Sequence, residues 1–113
     1  MKADPVHVVV VMVTTSNQDE AAQIAEHVVR ARLAACASII PTVRSTYWWE
    51  GKIMNDQESL VLIKTTSGQY SSLQAAIQEV HSYKVPEIIA IPVVDGLTPY
   101  LEWVNRETSS PWE

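Results

Sequence analysis

The chain has 113 residues, of which 47% are hydrophobic and 19% are charged, and its formal net charge is -5. At this length a polypeptide forms one domain, so we predict a single domain over residues 1–113 that buries about two thirds of the surface of its unfolded chain. The acidic balance and the scattered basic residues argue against a nucleic-acid partner, because phosphate affinity comes from clustered lysines and arginines.

The sequence predicts a cytoplasmic protein without a membrane partner. Cys36 is the only cysteine, so an intrachain disulfide is impossible and a reducing compartment fits best. The apolar run from Val8 to Val13 is far shorter than the roughly 20 residues that span a bilayer. Asp4 and Pro5 stand where a signal peptide carries basic residues, and we therefore expect no signal peptide.

The first segments predict a strand followed by a helix. The β-branched run from Val6 to Val13 is typical of a strand in the middle of a sheet. Turn and capping residues at positions 14–17 predict that a helix begins near Gln18, and Asp19 and Glu20 fall in its first turn, where carboxylates meet unpaired N–H groups.

The middle of the chain predicts a long β-hairpin. A strand from Cys36 to Trp49, bent at Pro41, leads to a tight turn at Trp49-Glu50-Gly51-Lys52, and a second strand returns from Ser59 to Thr66. Gly51 is free to adopt the positive φ that such a turn requires. Because strands usually have about 5 or 6 residues, we expect the hairpin tip to project beyond the sheet.

The last third predicts a helix, a strand and a short final helix. Apolar residues three and four positions apart predict a helix over 68–81. The run from Glu87 to Val94 predicts a strand, and Pro92, which has no N–H to donate, places it at a sheet edge or at a bulge. Thr98 and Pro99 are interpreted as the N-cap and first position of the final helix.

This order of elements predicts an α+β fold of the ferredoxin-like βαββαβ type, with a long hairpin between the second and third strands and a short C-terminal helix. Such a fold has a four-stranded antiparallel sheet with both helices on one face, which leaves the other face apolar and open. Soluble monomers rarely expose so large an apolar patch, and we therefore expect the chain to self-associate.

Two side chains are candidates for chemistry on the basis of residue type. Cys36 is interpreted either as a small buried hydrophobe or as a reactive thiol or soft metal ligand. His81 is interpreted either as an imidazolium stabilised by the end of the second helix or as a metal ligand. A single histidine makes a weak metal site, because copper and zinc normally take two to four N or S ligands.

No catalytic residue is predicted, because the sequence has no suitably spaced carboxylate pair and no phosphate-binding glycine motif.

Several segments together resemble the CutA family of divalent-ion tolerance proteins. In chain order they are Arg32-Leu33-Ala34-Ala35-Cys36, Ile40-Pro41, Ser45 with Tyr47, Trp49-Glu50-Gly51-Lys52, Lys64-Thr65, His81 with Tyr83 and Pro86-Glu87, and Tyr100-Leu101 with Trp103. The resemblance implies a non-enzymatic homotrimer, similar to the PII signalling proteins, whose hairpins extend across neighbouring subunits. It also implies a role in tolerance of copper or other divalent ions, with Cu²⁺ or another divalent metal ion as a possible ligand.

The chain departs from the copper-binding pattern proposed for that family. The pattern uses a cysteine at the end of the first strand and two adjacent histidines after the second helix. Here those positions hold Val13 and Val80-His81. Only His81 therefore remains as a candidate metal ligand.

The family's shared polar residues suggest a second kind of site. By resemblance they line a cleft between subunits, and in this chain they are Cys36, Trp49, Lys64, Tyr83 and Glu87. Such a cleft either binds a small anion or metabolite, as in a PII-like sensor, or locks the trimer together. Both interpretations remain open from the sequence.

Overall fold

The strands and helices follow the predicted order in the computed structural model, which describes residues 6–109. The strands are β1 (Val8–Thr15), β2 (Cys36–Trp49), β3 (Lys52–Thr66) and β4 (Ile88–Pro92). The helices are α1 (Gln18–Arg30), α2 (Tyr70–Val80) and α3 (Thr98–Glu107), with a 3₁₀ turn at Ser67–Gln69 before α2. The prediction that no signal peptide is present rests on Asp4 and Pro5, which lie outside the described residues.

The four strands form one antiparallel sheet in the order β2-β3-β1-β4, which confirms the ferredoxin-like topology. β1 lies between β3 and β4, as predicted for a central strand, although it begins at Val8 and continues to Thr15, which pairs with Ser59. β4 is an edge strand, so the missing N–H of Pro92 is tolerated there.

The sequence predicts the start of α1 correctly but misplaces the start of α3 by one residue. α1 begins at Gln18 as predicted, and the Glu20 N–H donates to the Asn17 side chain at 2.8 Å. α3 begins at Thr98, so the prediction of Thr98 as its N-cap is wrong by one residue; the N-cap is Leu97. Pro99 therefore occupies the second helical position, whose N–H has no partner within the helix in any case.

The hydrophobic core lies between one face of the sheet and helices α1 and α2. It is built from alternate residues of β1 and β3 and from one stripe of each helix; its fully buried members include Val11, Val13, Ile24, Val28, Val61, Ile63, Leu73 and Ile77. The opposite sheet face carries half-buried Met12 and Leu62 and, on β4, exposed Ile89 and Ile91. α3 covers only one end of that face, so the predicted open apolar face is confirmed.

The hairpin is longer than predicted because β3 begins at Lys52 and not at Ser59. Residues 52–58 pair only with β2, and the hairpin therefore extends roughly 23 Å beyond the pairing with β1. The strand pairing is irregular between Ile40 and Val43, as expected for a bend at Pro41. At the tip Glu50 and Gly51 have φ values of 48° and 78°, the two positive values that a type I′ turn requires.

Candidate functional site

A groove of about 710 Å³ lies where the projecting hairpin meets the segment between α2 and β4. The hairpin contributes Tyr47, Trp49 and Glu58, and the segment contributes Tyr83, Lys84 and Glu87. Its volume lies in the range of roughly 300 to 1,000 Å³ that is typical of small-molecule sites. The groove is therefore the candidate functional site.

Only part of the predicted polar cluster lines this groove. Trp49, Tyr83 and Glu87 do, whereas Cys36 and Lys64 face each other at the opposite end of the β2–β3 pairing. Lys64 is six positions from Glu58 along β3, a separation of roughly 20 Å. Within one chain the five residues thus form two clusters. That they line one cleft between subunits stays a prediction.

Cys36 lies against the C-terminal helix. Its free thiol is half-buried, and the Sγ atom is 3.8 Å from the Tyr100 hydroxyl oxygen. Burial, and then the contact with Cys36, raises the pKa of the Tyr100 phenol. Beside it the Lys64 ammonium donates to the Ser38 hydroxyl at 2.8 Å. Both contacts lie at the surface of the chain, and the two interpretations of Cys36 stay predictions.

His81 is the C-cap residue of α2, and both of its ring nitrogens are hydrogen-bonded. Nε2 lies 2.8 Å from the Thr14 carbonyl oxygen, and Nδ1 lies 3.0 Å from the backbone nitrogen of Tyr83. A carbonyl only accepts and a backbone N–H only donates, so Nε2 donates to Thr14 and Nδ1 accepts from Tyr83. The interpretation of His81 as an imidazolium at the helix end would need a second proton on Nδ1, where the Tyr83 N–H donates. The role of His81 as a metal ligand stays a prediction, and it requires one of these bonds to break.

Glu20 is a buried carboxylate whose role the sequence interpretation missed. Its Oε1 accepts from the N–H and the hydroxyl of Ser16 at 2.9 and 3.0 Å, and its Oε2 accepts from the Ser82 N–H at 2.7 Å. Burial favours the neutral acid, but these hydrogen bonds outweigh it and lower the pKa of Glu20 to about 2. The spacing of Asn17 and Glu20, which matches a helix capping box, was the available sequence signal.

Two tyrosines of the groove donate to carboxylates. The Tyr83 hydroxyl donates to Glu58 at 2.8 Å, and the Tyr47 hydroxyl donates to Asp56. Burial, and then the hydrogen bond to Glu58, raises the pKa of Tyr83. The Tyr83 ring also packs against the His81 ring, with ring centres 4.8 Å apart. Tyr83 thus lines the groove and also contacts the buried His81.

A resident metal ion does not fit this set of side chains. Among residues 6–109, no group of three or more histidine, cysteine, aspartate or glutamate side chains is arranged to hold a metal ion. The two ring nitrogens of His81 already have partners. Copper and zinc normally need two to four N or S ligands, so the described part of one chain does not supply a site for them.

Comparison with known proteins identifies the family. The family model described as CutA1 divalent ion tolerance protein matches residues 9–107. The chain belongs to the CutA family. It is 40% identical over 99 residues to the divalent-cation tolerance protein CutA of Thermus thermophilus, which covers 88% of this chain and 96% of that protein. The solved structure of Cut A1 from Thermus thermophilus superimposes with a TM-score of 0.88 at 39% identity, covering 90% of this chain and 99% of that one.

Relatives within the CutA family differ in length and location. The rice protein CutA 1, described as chloroplastic, is 40% identical over 100 residues, which are 88% of this chain but only 56% of that protein. This chain therefore spans about half the length of the rice relative. Among residues 6–109 no helix is long and apolar enough to cross a membrane. The cytoplasmic location stays a prediction.

Proposed function

We propose that this CutA-family chain acts as a non-enzymatic homotrimer in the response to divalent cations, copper among them. The observation that carries the proposal is the family match over residues 9–107, together with relatives named for divalent-cation tolerance. The proposed location is the cytoplasm, because Cys36 is a free thiol and no described cysteine pair needs an oxidising compartment.

Two exposed apolar surfaces support a homotrimer. At the hairpin tip Trp48 and Ile53 are 71% and 58% exposed, and on the open sheet face Ile89 and Ile91 are each about half exposed. Apolar surface of this extent is normally covered in a soluble protein. A hairpin that projects roughly 23 Å is long enough to reach a neighbouring copy.

The homotrimer predicts a definite mass. Light scattering at micromolar concentration should give about 38 kDa, three times the 12.6 kDa of one chain. The same sample in concentrated guanidinium chloride serves as the control for the mass of the separated chain. A species of 12.6 kDa under native conditions would rule out the trimer.

Copper binding at His81 is expected to be weak. Since each ring nitrogen has a partner, a bound Cu²⁺ ion must displace the Thr14 carbonyl or the Tyr83 N–H. Calorimetric titration of Cu²⁺ should therefore give small, similar heats for the wild type, His81→Ala and the control His27→Ala, whose histidine is exposed on α1. A saturable site that only His81→Ala removes would establish His81 as a ligand and contradict this expectation.

A PII-like small-ligand sensor is a second candidate, and the groove is the observation that favours it. The groove has the volume of a small-molecule site and is lined by aromatic and charged side chains. The copper titration also separates the two candidates, because a sensor of small organic ligands needs no copper site. A saturable copper site would count against the sensor, whereas negligible heats in all three proteins would only remove His81 as a copper ligand.

A further inference from the structure

The segment 82–87, which supplies one side of the groove, is held by side chains rather than by regular secondary structure. Buried backbone N–H groups need hydrogen-bond partners, and a segment outside helices and strands must find them elsewhere. The Ser82 N–H donates to the Glu20 carboxylate at 2.7 Å, and the Tyr83 N–H donates to the His81 ring at 3.0 Å. The first two residues of the groove segment therefore depend on Glu20 and His81.

Each of these side chains also bonds to a fixed part of the scaffold. The second carboxylate oxygen of Glu20 accepts from Ser16 at the start of α1. The second ring nitrogen of His81 donates to the carbonyl of Thr14 at the end of β1. Both side chains are buried, and Nδ1 of His81 lies 3.8 Å from Oε2 of Glu20. Together they connect β1 and α1 to the groove segment.

We propose that Glu20 and His81 form a positioning pair, which fixes segment 82–87 and thereby places the Tyr83 hydroxyl on Glu58 in the groove. Neither member of the pair lines the groove. Ligand selection by the groove thus depends on two buried side chains that are not part of its lining. The role in ligand selection rests on the proposal that the chain is a small-ligand sensor. The hydrogen bonds of Glu20 and His81 to the segment are present without any ligand.

The positioning role requires the particular hydrogen-bond acceptors that Glu20 and His81 supply. The Glu20 carboxylate accepts on both oxygens, so a glutamine in its place turns an N–H₂ group towards either Ser16 or Ser82, which are both donors. An amide N–H₂ group that faces another donor loses the hydrogen bond that the carboxylate oxygen accepted. An asparagine in place of His81 retains an acceptor near the position of Nδ1, whereas alanine retains neither ring nitrogen.

The test compares Glu20→Gln with Glu26→Gln in the full chain. Glu26 is on the same helix but is exposed and paired only with Arg30, so it is a matched control for the change of charge. Amide hydrogen exchange at Ser82 and Tyr83 should be about tenfold or more faster in Glu20→Gln than in the wild type, while the amides of buried Val61 and Ile63 on β3 change far less. The Tyr83 signal in ¹³Cζ-tyrosine spectra should shift towards that of a solvated phenol. Glu26→Gln should change neither measurement.

The His81 variants provide a second, independent measurement. Tyr83 amide exchange should be faster in His81→Ala than in His81→Asn, since only asparagine keeps an acceptor for that N–H. Equal acceleration of the segment and of β3 in Glu20→Gln, or no acceleration at all, would overturn the positioning role, as would identical exchange in the two His81 variants. These readouts need no ligand, so a groove that binds no small molecule would count against the sensor alone.

Discussion

Acidification from pH 6 to pH 2 is expected to lower the free energy of unfolding by about 3 kcal/mol through Glu20 alone. In the folded chain, hydrogen bonds from Ser16 and Ser82 outweigh burial and lower the pKa of Glu20 from 4.5 to about 2. The unfolded chain therefore binds the proton more readily. The stabilisation is fully present above pH 4.5 and is lost as the pH falls towards 2. Denaturant unfolding at several pH values and one protein concentration measures it.

The contribution of Glu20 is isolated by a comparison of variants. Acidification acts on the whole chain, so the wild-type curve alone does not assign the effect to Glu20. Glu20→Gln should be less stable at pH 6 and should lose less stability on acidification. Glu26→Gln, which changes an exposed carboxylate on the same helix, should follow the wild-type curve. Parallel curves for Glu20→Gln and the wild type would refute the assignment.

The helices that pack on the sheet were predicted from the sequence because one face of each is buried. In α1 and α2 the apolar residues recur at helical spacing because only one stripe of each helix packs on the sheet. The start of β3 was missed for the opposite reason. Residues 55–58 are polar and lie in the projecting hairpin, where neither strand face must be buried. Pairing with β2 alone makes this segment a strand, and no periodic pattern marks it.

The candidate site was predicted in part because the family resemblance names residues but not their positions in space. Trp49, Tyr83 and Glu87 do share a groove. Cys36 on β2 and Lys64 on β3 lie at the other end of the hairpin, a separation that only the strand register determines. The contact of Glu20 with Ser82 spans 62 positions in the chain. A capping box predicts the helix end of that interaction but not its tertiary partner.

Replacing Ile77 with alanine is expected to destabilise the chain by about 2 to 5 kcal/mol. The Ile77 side chain is fully buried on α2, within the core between the helices and the sheet. Its removal loses apolar burial and leaves a cavity that close-packed neighbours fill only in part. The Ile77 carbonyl also accepts the His81 N–H at 2.9 Å, so a shift of this helical turn is transmitted to the groove segment. Guanidinium chloride unfolding at a fixed protein concentration measures the loss.

Val80→Ala is the matched control for this prediction, since Val80 lies on the same helix but is 47% exposed. Its truncation removes little buried surface, and we expect a loss of less than about 1 kcal/mol. If packing of α2 on the sheet places His81, then Ile77→Ala should also speed amide exchange at Tyr83, and Val80→Ala should not. Equal destabilisation by the two variants would mean that the core between α2 and the sheet contributes less than its burial indicates. If Ile77→Ala lowers stability but leaves amide exchange at Tyr83 unchanged, the stability of the fold and the position of the groove segment are independent properties.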